Sequence, residues 1–98
     1  MAVTWSKLAA DERVRLFHEL DAVNPQAADR QDAAVEKLAN SLDGLAIYQK
    51  LLDGTCYVPV KGYPIVILYD RHPVTGDADV LDLAPTRSNW KPEESAAG

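Results

Sequence analysis

The chain has 98 residues, of which 47% are hydrophobic, and its 15 acidic and 10 basic residues give a net charge of −5. This length allows one domain, and the negative charge excludes general attraction to nucleic acid unless the few cations are gathered in one place. No apolar run is long enough to cross a bilayer and the N-terminus has no export-signal pattern, so we expect a cytoplasmic protein without a membrane partner. The single cysteine, Cys56, cannot form an internal disulfide, which agrees with a reducing compartment.

The first predicted elements are a short strand and an amphipathic helix. Residues 2–5 are typical of a strand, and Ser6 is a suitable N-cap for a helix over 7–22. Apolar residues recur in this helix at steps of three and four, which predicts one buried stripe on a surface helix. The members of the stripe are Ala10, Val14, Phe17 and Leu20.

A second helix follows the first almost at once, because the sequence Asn24-Pro25-Gln26-Ala27-Ala28-Asp29-Arg30 ends one helix and begins another. Proline needs no N–H at the first helical position, and Asn24 can cap the free N–H groups. The joint is so short that the helices are predicted to fold back as a hairpin. The second helix should bury Ala28, Val35, Leu38 and Leu42, with Leu45 as a further candidate.

The rest of the chain is predicted to form a small sheet. Gly44 is a potential interruption, and residues 45–52 are compatible with a further helical turn or two. Strands are predicted over 55–60, 63–69 and 79–83, and the unbroken apolar run 65–68 favours a central strand. Pro59 cannot donate to a strand ladder, which places its strand at or near an edge. Residues 1–92 should form one domain, and 93–98 a disordered tail.

The order of these residues resembles the RelE/ParE toxins of bacterial type II toxin–antitoxin modules, and the ParE branch more than the RelE branch. The resemblance rests on Val3-Thr4-Trp5, the joint at 24–30, the strand from Tyr63 to Tyr69, Val80-Leu81 and Trp90. It implies an α+β fold of the form β-α-α-β-β-β, in which a helix hairpin packs on a small, mainly antiparallel sheet. The predicted elements agree with that arrangement.

The resemblance also implies a function. A ParE-like toxin inhibits DNA gyrase without a catalytic cluster of its own and is neutralised by a cognate antitoxin protein. The residues at this chain's C-terminal end that would contact the target are Arg87, Trp90 and Lys91. We expect the antitoxin to bind the helix-hairpin face and a strand edge formed by Cys56, Tyr57, Val58 and Val60.

Two alternatives stay open. A RelE-like toxin is a ribosome-dependent mRNA endonuclease, and its cations would here be Lys61, Arg71 and Arg87. Four cations face six carboxylates in the sheet region of the sequence, which is a poor cradle for RNA. The second alternative is a non-toxic homologue that only binds an antitoxin.

The remaining polar residues give no pattern for other chemistry. His72 has Asp70 and Asp77 nearby in sequence but no second histidine within reach, and His18 lies among charges in a helix. Cys56 lacks the partner pattern of a nucleophile. We therefore expect no metal site, no cofactor and no sequence-specific binding of nucleic acid.

Overall fold

A computed structural model of the chain describes residues 2–44 and 49–86. None of the described helices is both long and apolar enough to cross a membrane. Two helices pack on one face of a five-stranded sheet, which confirms the predicted α+β fold. The elements are β1 (Val3–Trp5), α1 (Lys7–Asp21), α2 (Pro25–Asn40), a 3₁₀ turn (Leu42–Gly44), β2 (Gln49–Lys50), β3 (Cys56–Pro59), β4 (Ile65–Arg71) and β5 (Ala78–Pro85).

The helix hairpin forms where the local signals predict it. The Ser6 hydroxyl oxygen accepts the N–H of Ala9 at 3.0 Å at the start of α1. The Asn24 side-chain oxygen accepts the N–H of Ala27 at 3.1 Å, and Pro25 is the first residue of α2. Both caps are therefore confirmed, since each satisfies a donor that the helix leaves unpaired.

The sheet has the order β1-β5-β4-β3-β2, in which β1 is parallel to β5 and the other neighbours are antiparallel. Strand β4 lies in the middle, and the strand that contains Pro59 is second from the edge, as predicted. The helical turn expected over 45–52 is wrong at Gln49 and Lys50, because these residues pair with β3 as the edge strand β2. Residues 45–48, and with them Leu45, lie outside the described residues.

Helix α1 leaves two of the four residues predicted for its buried stripe exposed, whereas the other two, Phe17 and Leu20, are partly buried. Ala9 is fully buried, whereas Ala10 is exposed and Val14 is 55% exposed. Ala9 and Leu16 lie on one side of the helix, and the stripe through Ala10, Val14 and Phe17 lies about 100° around it, since each residue advances the helix by about 100°. The sequence thus contains two apolar stripes, and their spacing alone does not say which one meets the sheet.

Helix α2 buries most of the residues predicted for it. Ala28, Val35 and Leu42 are buried, and Leu38 is partly buried against the core, although Leu42 lies in the 3₁₀ turn beyond the end of α2. The core lies between the hairpin and the helix-facing side of the sheet. Its buried members are Ala9, Val35, Ala39, Leu42, Cys56, Val60, Ile65, Ile67, Tyr69, Ala78, Val80 and Leu83.

Candidate functional site

The outer side of α1 forms an apolar groove, which we call the α1 groove. It has a volume of about 520 Å³ and is lined by Trp5, Ala10, Arg13, Val14, Phe17, His18 and Asp32. Three members of the stripe that the sequence predicted to be buried, Ala10, Val14 and Phe17, supply its apolar wall. Val14 is 55% exposed and the neighbouring Ala10 is also exposed, and exposed apolar side chains grouped in this way are typical of an interaction surface.

The α1 groove has a fixed polar rim made by Arg13. The Arg13 guanidinium donates to both carboxylate oxygens of Asp32, at 2.7 and 2.9 Å, and lies 5.1 Å from the centre of the Trp5 ring. Its Nη2 atom is also 3.6 Å from a Glu36 carboxylate oxygen. The hydrogen bond to Asp32 raises the pKa of Arg13 above its usual range, so the guanidinium stays charged. This bidentate pair ties α1 to α2 and keeps the groove's shape.

A second concave surface, the hairpin groove, lies between the tip of the helix hairpin and the sheet. Its volume is about 480 Å³, and its polar members include Gln31, which is only 8% exposed. Nothing in the sequence pattern of α2 marked Gln31 as a lining residue, because an isolated glutamine on a helix is usually solvated. The lining consists of Leu16, Glu19, Leu20, Val23, Ala27, Gln31, Tyr63, Pro64, Ile65 and Pro85.

Charged side chains gather in a third place, a pocket of about 520 Å³ at the end of the sheet where β4 finishes. Arg71 lines this pocket and donates to the Asp43 carbonyl oxygen at 3.3 Å. Lys50 reaches the same pocket from β2, which sequence reasoning missed because it placed Lys50 in a helical turn. Carboxylates alternate with these cations, so the pocket is not a uniformly positive surface. Its ionisable members are Lys50, Asp70, Arg71, His72, Asp77 and Asp79, with Cys56 below them.

Of the three cations of the nuclease alternative, the two that the structure describes, Lys61 and Arg71, are not brought together. Lys61 lies in the turn before β4, and Arg71 is the last residue of that strand. A seven-residue strand is roughly 20 Å long, so the two side chains belong to opposite ends of the sheet. Arg87, the third member, lies outside the described residues, as do the other two residues assigned to target binding, Trp90 and Lys91.

The four residues assigned to antitoxin binding lie on and just after β3. Cys56, Tyr57 and Val60 are buried, and Val58 is partly buried against the core. Strand β2 pairs with Cys56 and Tyr57, so the edge expected to be open for an added strand is already occupied at those two positions. Burial raises the pKa of the Cys56 thiol above its usual value, which keeps the thiol protonated and agrees with a packing role.

Each of the two histidines contacts residues close to it in the sequence. The Nδ1 atom of His72 accepts the backbone N–H groups of Val74 and Thr75, at 3.2 and 3.1 Å, within the β4–β5 turn. The ring of His18 meets Phe17 edge-on, with centroids 5.8 Å apart, beside the α1 groove. Among the described residues, no three His, Cys, Asp or Glu side chains are grouped so that they could hold a metal ion.

Comparison with known proteins gives one further result. No family model and no curated protein sequence matches the chain. The structure is similar to a chain of the chromosomal ParDE toxin–antitoxin (TA) system from P. aeruginosa, with a TM-score of 0.74 and 12% sequence identity. The match covers 89% of this chain and 97% of that chain. The ParE-like fold that the sequence resemblance implied is therefore confirmed.

Proposed function

We propose that this protein is the toxin of a type II toxin–antitoxin module, that it inhibits DNA gyrase and that a cognate antitoxin neutralises it. The observation that supports this proposal most directly is the fold, which is shared along nearly the whole chain with a component of a ParDE system. The sequence resemblance to ParE-like toxins, which includes the residues Arg87 and Trp90, supports the choice of gyrase as the target.

The proposed antitoxin contact is the α1 groove together with the β3 segment 56–60. The α1 groove presents the exposed side chain of Val14 and the partly buried ring of Phe17 beside a rim in which Arg13 is already paired with Asp32. An amphipathic antitoxin segment could therefore bury its apolar side there without having to neutralise a charge. At β3, Val58 and Pro59 lie beyond the two positions that pair with β2, so an antitoxin strand would contact the segment at that end.

A second observation favours gyrase inhibition over the nuclease alternative. Phosphodiester cleavage requires cationic and acid–base groups gathered around one phosphate, because negative charge develops in the transition state. Lys61 and Arg71 lie at opposite ends of β4, so they do not form such a cluster. A toxin that binds gyrase needs a contact surface and no catalytic cluster, which agrees better with this arrangement.

The experiment expresses the chain alone and measures two outputs, the DNA-damage response in cells and supercoiling by purified gyrase. We expect the damage response to be induced and supercoiling to be inhibited. Arg87→Ala and Trp90→Ala should abolish both effects while antitoxin binding stays unchanged. Arg30→Ala is the matched control, because Arg30 is an exposed arginine on α2 that lines none of the three concave surfaces.

Other outcomes would contradict the proposal. Cleaved mRNA at ribosomal A sites, lost on substitution of Lys61, Arg71 or Arg87, would establish the endonuclease instead. If expression produces neither damage signalling nor cleaved message while an antitoxin still binds, the protein is a non-toxic antitoxin-binding homologue.

A further inference from the structure

The turn between β4 and β5 is closed by a histidine ring that accepts hydrogen bonds. The Nδ1 atom of His72 accepts the backbone N–H groups of Val74 and Thr75, at 3.2 and 3.1 Å. The main chain closes the same turn, because the N–H of Gly76 donates to the His72 carbonyl oxygen at 2.9 Å and the N–H of His72 donates to the Asp77 carbonyl oxygen at 2.8 Å. The imidazole therefore takes the place that the side-chain oxygen of an aspartate or asparagine has in many turns.

This arrangement determines where the His72 ring carries its proton. A nitrogen that accepts a hydrogen bond keeps its lone pair, so the neutral ring carries its proton on Nε2. The imidazolium carries a proton on both nitrogens and has no acceptor left. Protonation would turn Nδ1 into a third donor facing the N–H groups of Val74 and Thr75. The closed turn and the protonated ring therefore exclude each other.

The ionisable groups around His72 allow its protonation. His72 is exposed and lines the pocket at the end of the sheet where β4 finishes. The side chains that share this pocket include one more carboxylate than cation, so they do not repel a further positive charge, and the carboxylates are acceptors for an imidazolium. The members of this set are Lys50 from β2, Cys56 from β3, Asp70 and Arg71 from β4, Asp77 from the end of the turn and Asp79 from β5.

We propose that His72 is a pH-sensitive switch of the β4–β5 turn, in which the neutral ring closes the turn and protonation of Nδ1 opens it. The closed turn binds one proton fewer than the open turn, so it is favoured at high pH and is lost as the pH falls. Histidine side chains ordinarily change charge between about pH 5 and 8, and we expect the transition in that range. Opening exposes the N–H groups of Val74 and Thr75 to solvent and adds a positive charge to the pocket. The switch does not depend on the toxin function proposed above.

The test is an NMR titration of the full ¹⁵N-labelled chain from about pH 8 to about pH 5. At the upper end we expect the ring nitrogens of His72 to show the Nε2–H tautomer and the amides of Val74 and Thr75 to be protected from exchange. As the pH falls, the protection of both amides relative to an unstructured chain should decrease about tenfold, with the same midpoint as the His72 ring. Asp77 does not interfere in this range, because the N–H of Ala2 holds the pKa of its carboxyl below the usual value of 3.8.

Two substitutions separate the hydrogen bonds from the titration. His72→Asn places an oxygen acceptor as many bonds from the main chain as Nδ1 and does not titrate, so it should protect both amides at both ends of the pH range. His72→Gln moves the acceptor one bond further out, to the position of Nε2, and should leave both amides unprotected throughout. His18→Asn is the matched control, because it makes the same exchange at the other histidine, on α1, and should leave the titration of the turn unchanged.

Three results would overturn the proposal. The first is a neutral His72 ring that carries its proton on Nδ1. The second is protection of the Val74 and Thr75 amides that does not follow the midpoint of the ring. The third is a His72→Asn chain whose turn still opens as the pH falls. Because His72 is exposed, its substitution removes no core packing, and the titration of the unmodified chain tests the switch even without the variants.

Discussion

The hydroxyl of Ser6 joins the start of α1 to an irregularity in the sheet, because it donates to the Leu81 carbonyl oxygen at 2.9 Å. Leu81 lies between the pairs Leu68↔Asp82 and Tyr69↔Val80, where the register between β4 and β5 shifts. The same hydroxyl oxygen accepts the N–H of Ala9. One side chain therefore caps α1 and also donates a hydrogen bond to a carbonyl oxygen at the register shift between β4 and β5.

We expect Ser6→Ala to lower the free energy of unfolding by about 1–2 kcal/mol, because it removes an N-cap and a hydrogen bond to a partly buried carbonyl. Urea unfolding followed by circular dichroism measures the change. Ser41→Ala is the control, since the exposed Ser41 hydroxyl donates only to the Leu38 carbonyl oxygen near the end of α2. Equal midpoints for the two variants would contradict the double role of Ser6.

Asp77 should make stability depend on pH in the acid range. Its carboxylate accepts the N–H of Ala2 at 2.7 Å, and this bond, with the Thr75 hydroxyl, holds the pKa of Asp77 below its usual value of 3.8. A group whose pKa is lower in the folded state stabilises the fold above its unfolded pKa and loses that effect as the pH falls. We therefore expect Asp77→Asn to melt below the parent at about pH 6 and to approach it near about pH 2. A difference that stays constant with pH would contradict this.

Val14 should be important for antitoxin binding and unimportant for folding. We expect Val14→Glu to weaken binding of the antitoxin by tenfold or more, about 1.4 kcal/mol, because it places a charge among apolar contacts of the α1 groove. Calorimetric titration with the cognate antitoxin measures the affinity. Val74→Glu makes the same exchange at an exposed turn and should bind normally. Full affinity in Val14→Glu would move the antitoxin contact away from α1.

Salt should change the antitoxin affinity only slightly. The chain is itself acidic, and Arg13, which lines the α1 groove, is already paired with Asp32, so burial of apolar surface should dominate binding. Between about 50 and 500 mM salt the Debye length falls from roughly 14 to 4 Å, which weakens exposed charge pairs strongly. A collapse of affinity over that range would show that charge attraction is the main contribution.

The sequence by itself determined the helix hairpin and the places of two strands within the sheet. Ser6, Asn24 and Pro25 act within three or four residues of their own positions, so their effect on the helix ends can be predicted without the rest of the molecule. The same holds for the apolar run 65–68, because an unbroken apolar run is typical of a buried strand inside a sheet and not of an edge strand. Pro59 has no N–H to donate to a neighbouring strand, and this local property predicts a strand at or near an edge of the sheet.

Only the tertiary structure decided which surfaces remain for binding. Helix α1 has two apolar stripes about 100° apart, and the choice between them depends on how α1 meets α2 and β5, which involves residues far apart in sequence. For the same reason the sequence did not reveal the pairing of β1 with β5, the short strand β2 or the burial of Gln31. Spacing along a chain reports the periodicity of one element, whereas a groove is formed by several elements whose packing is set by the whole core.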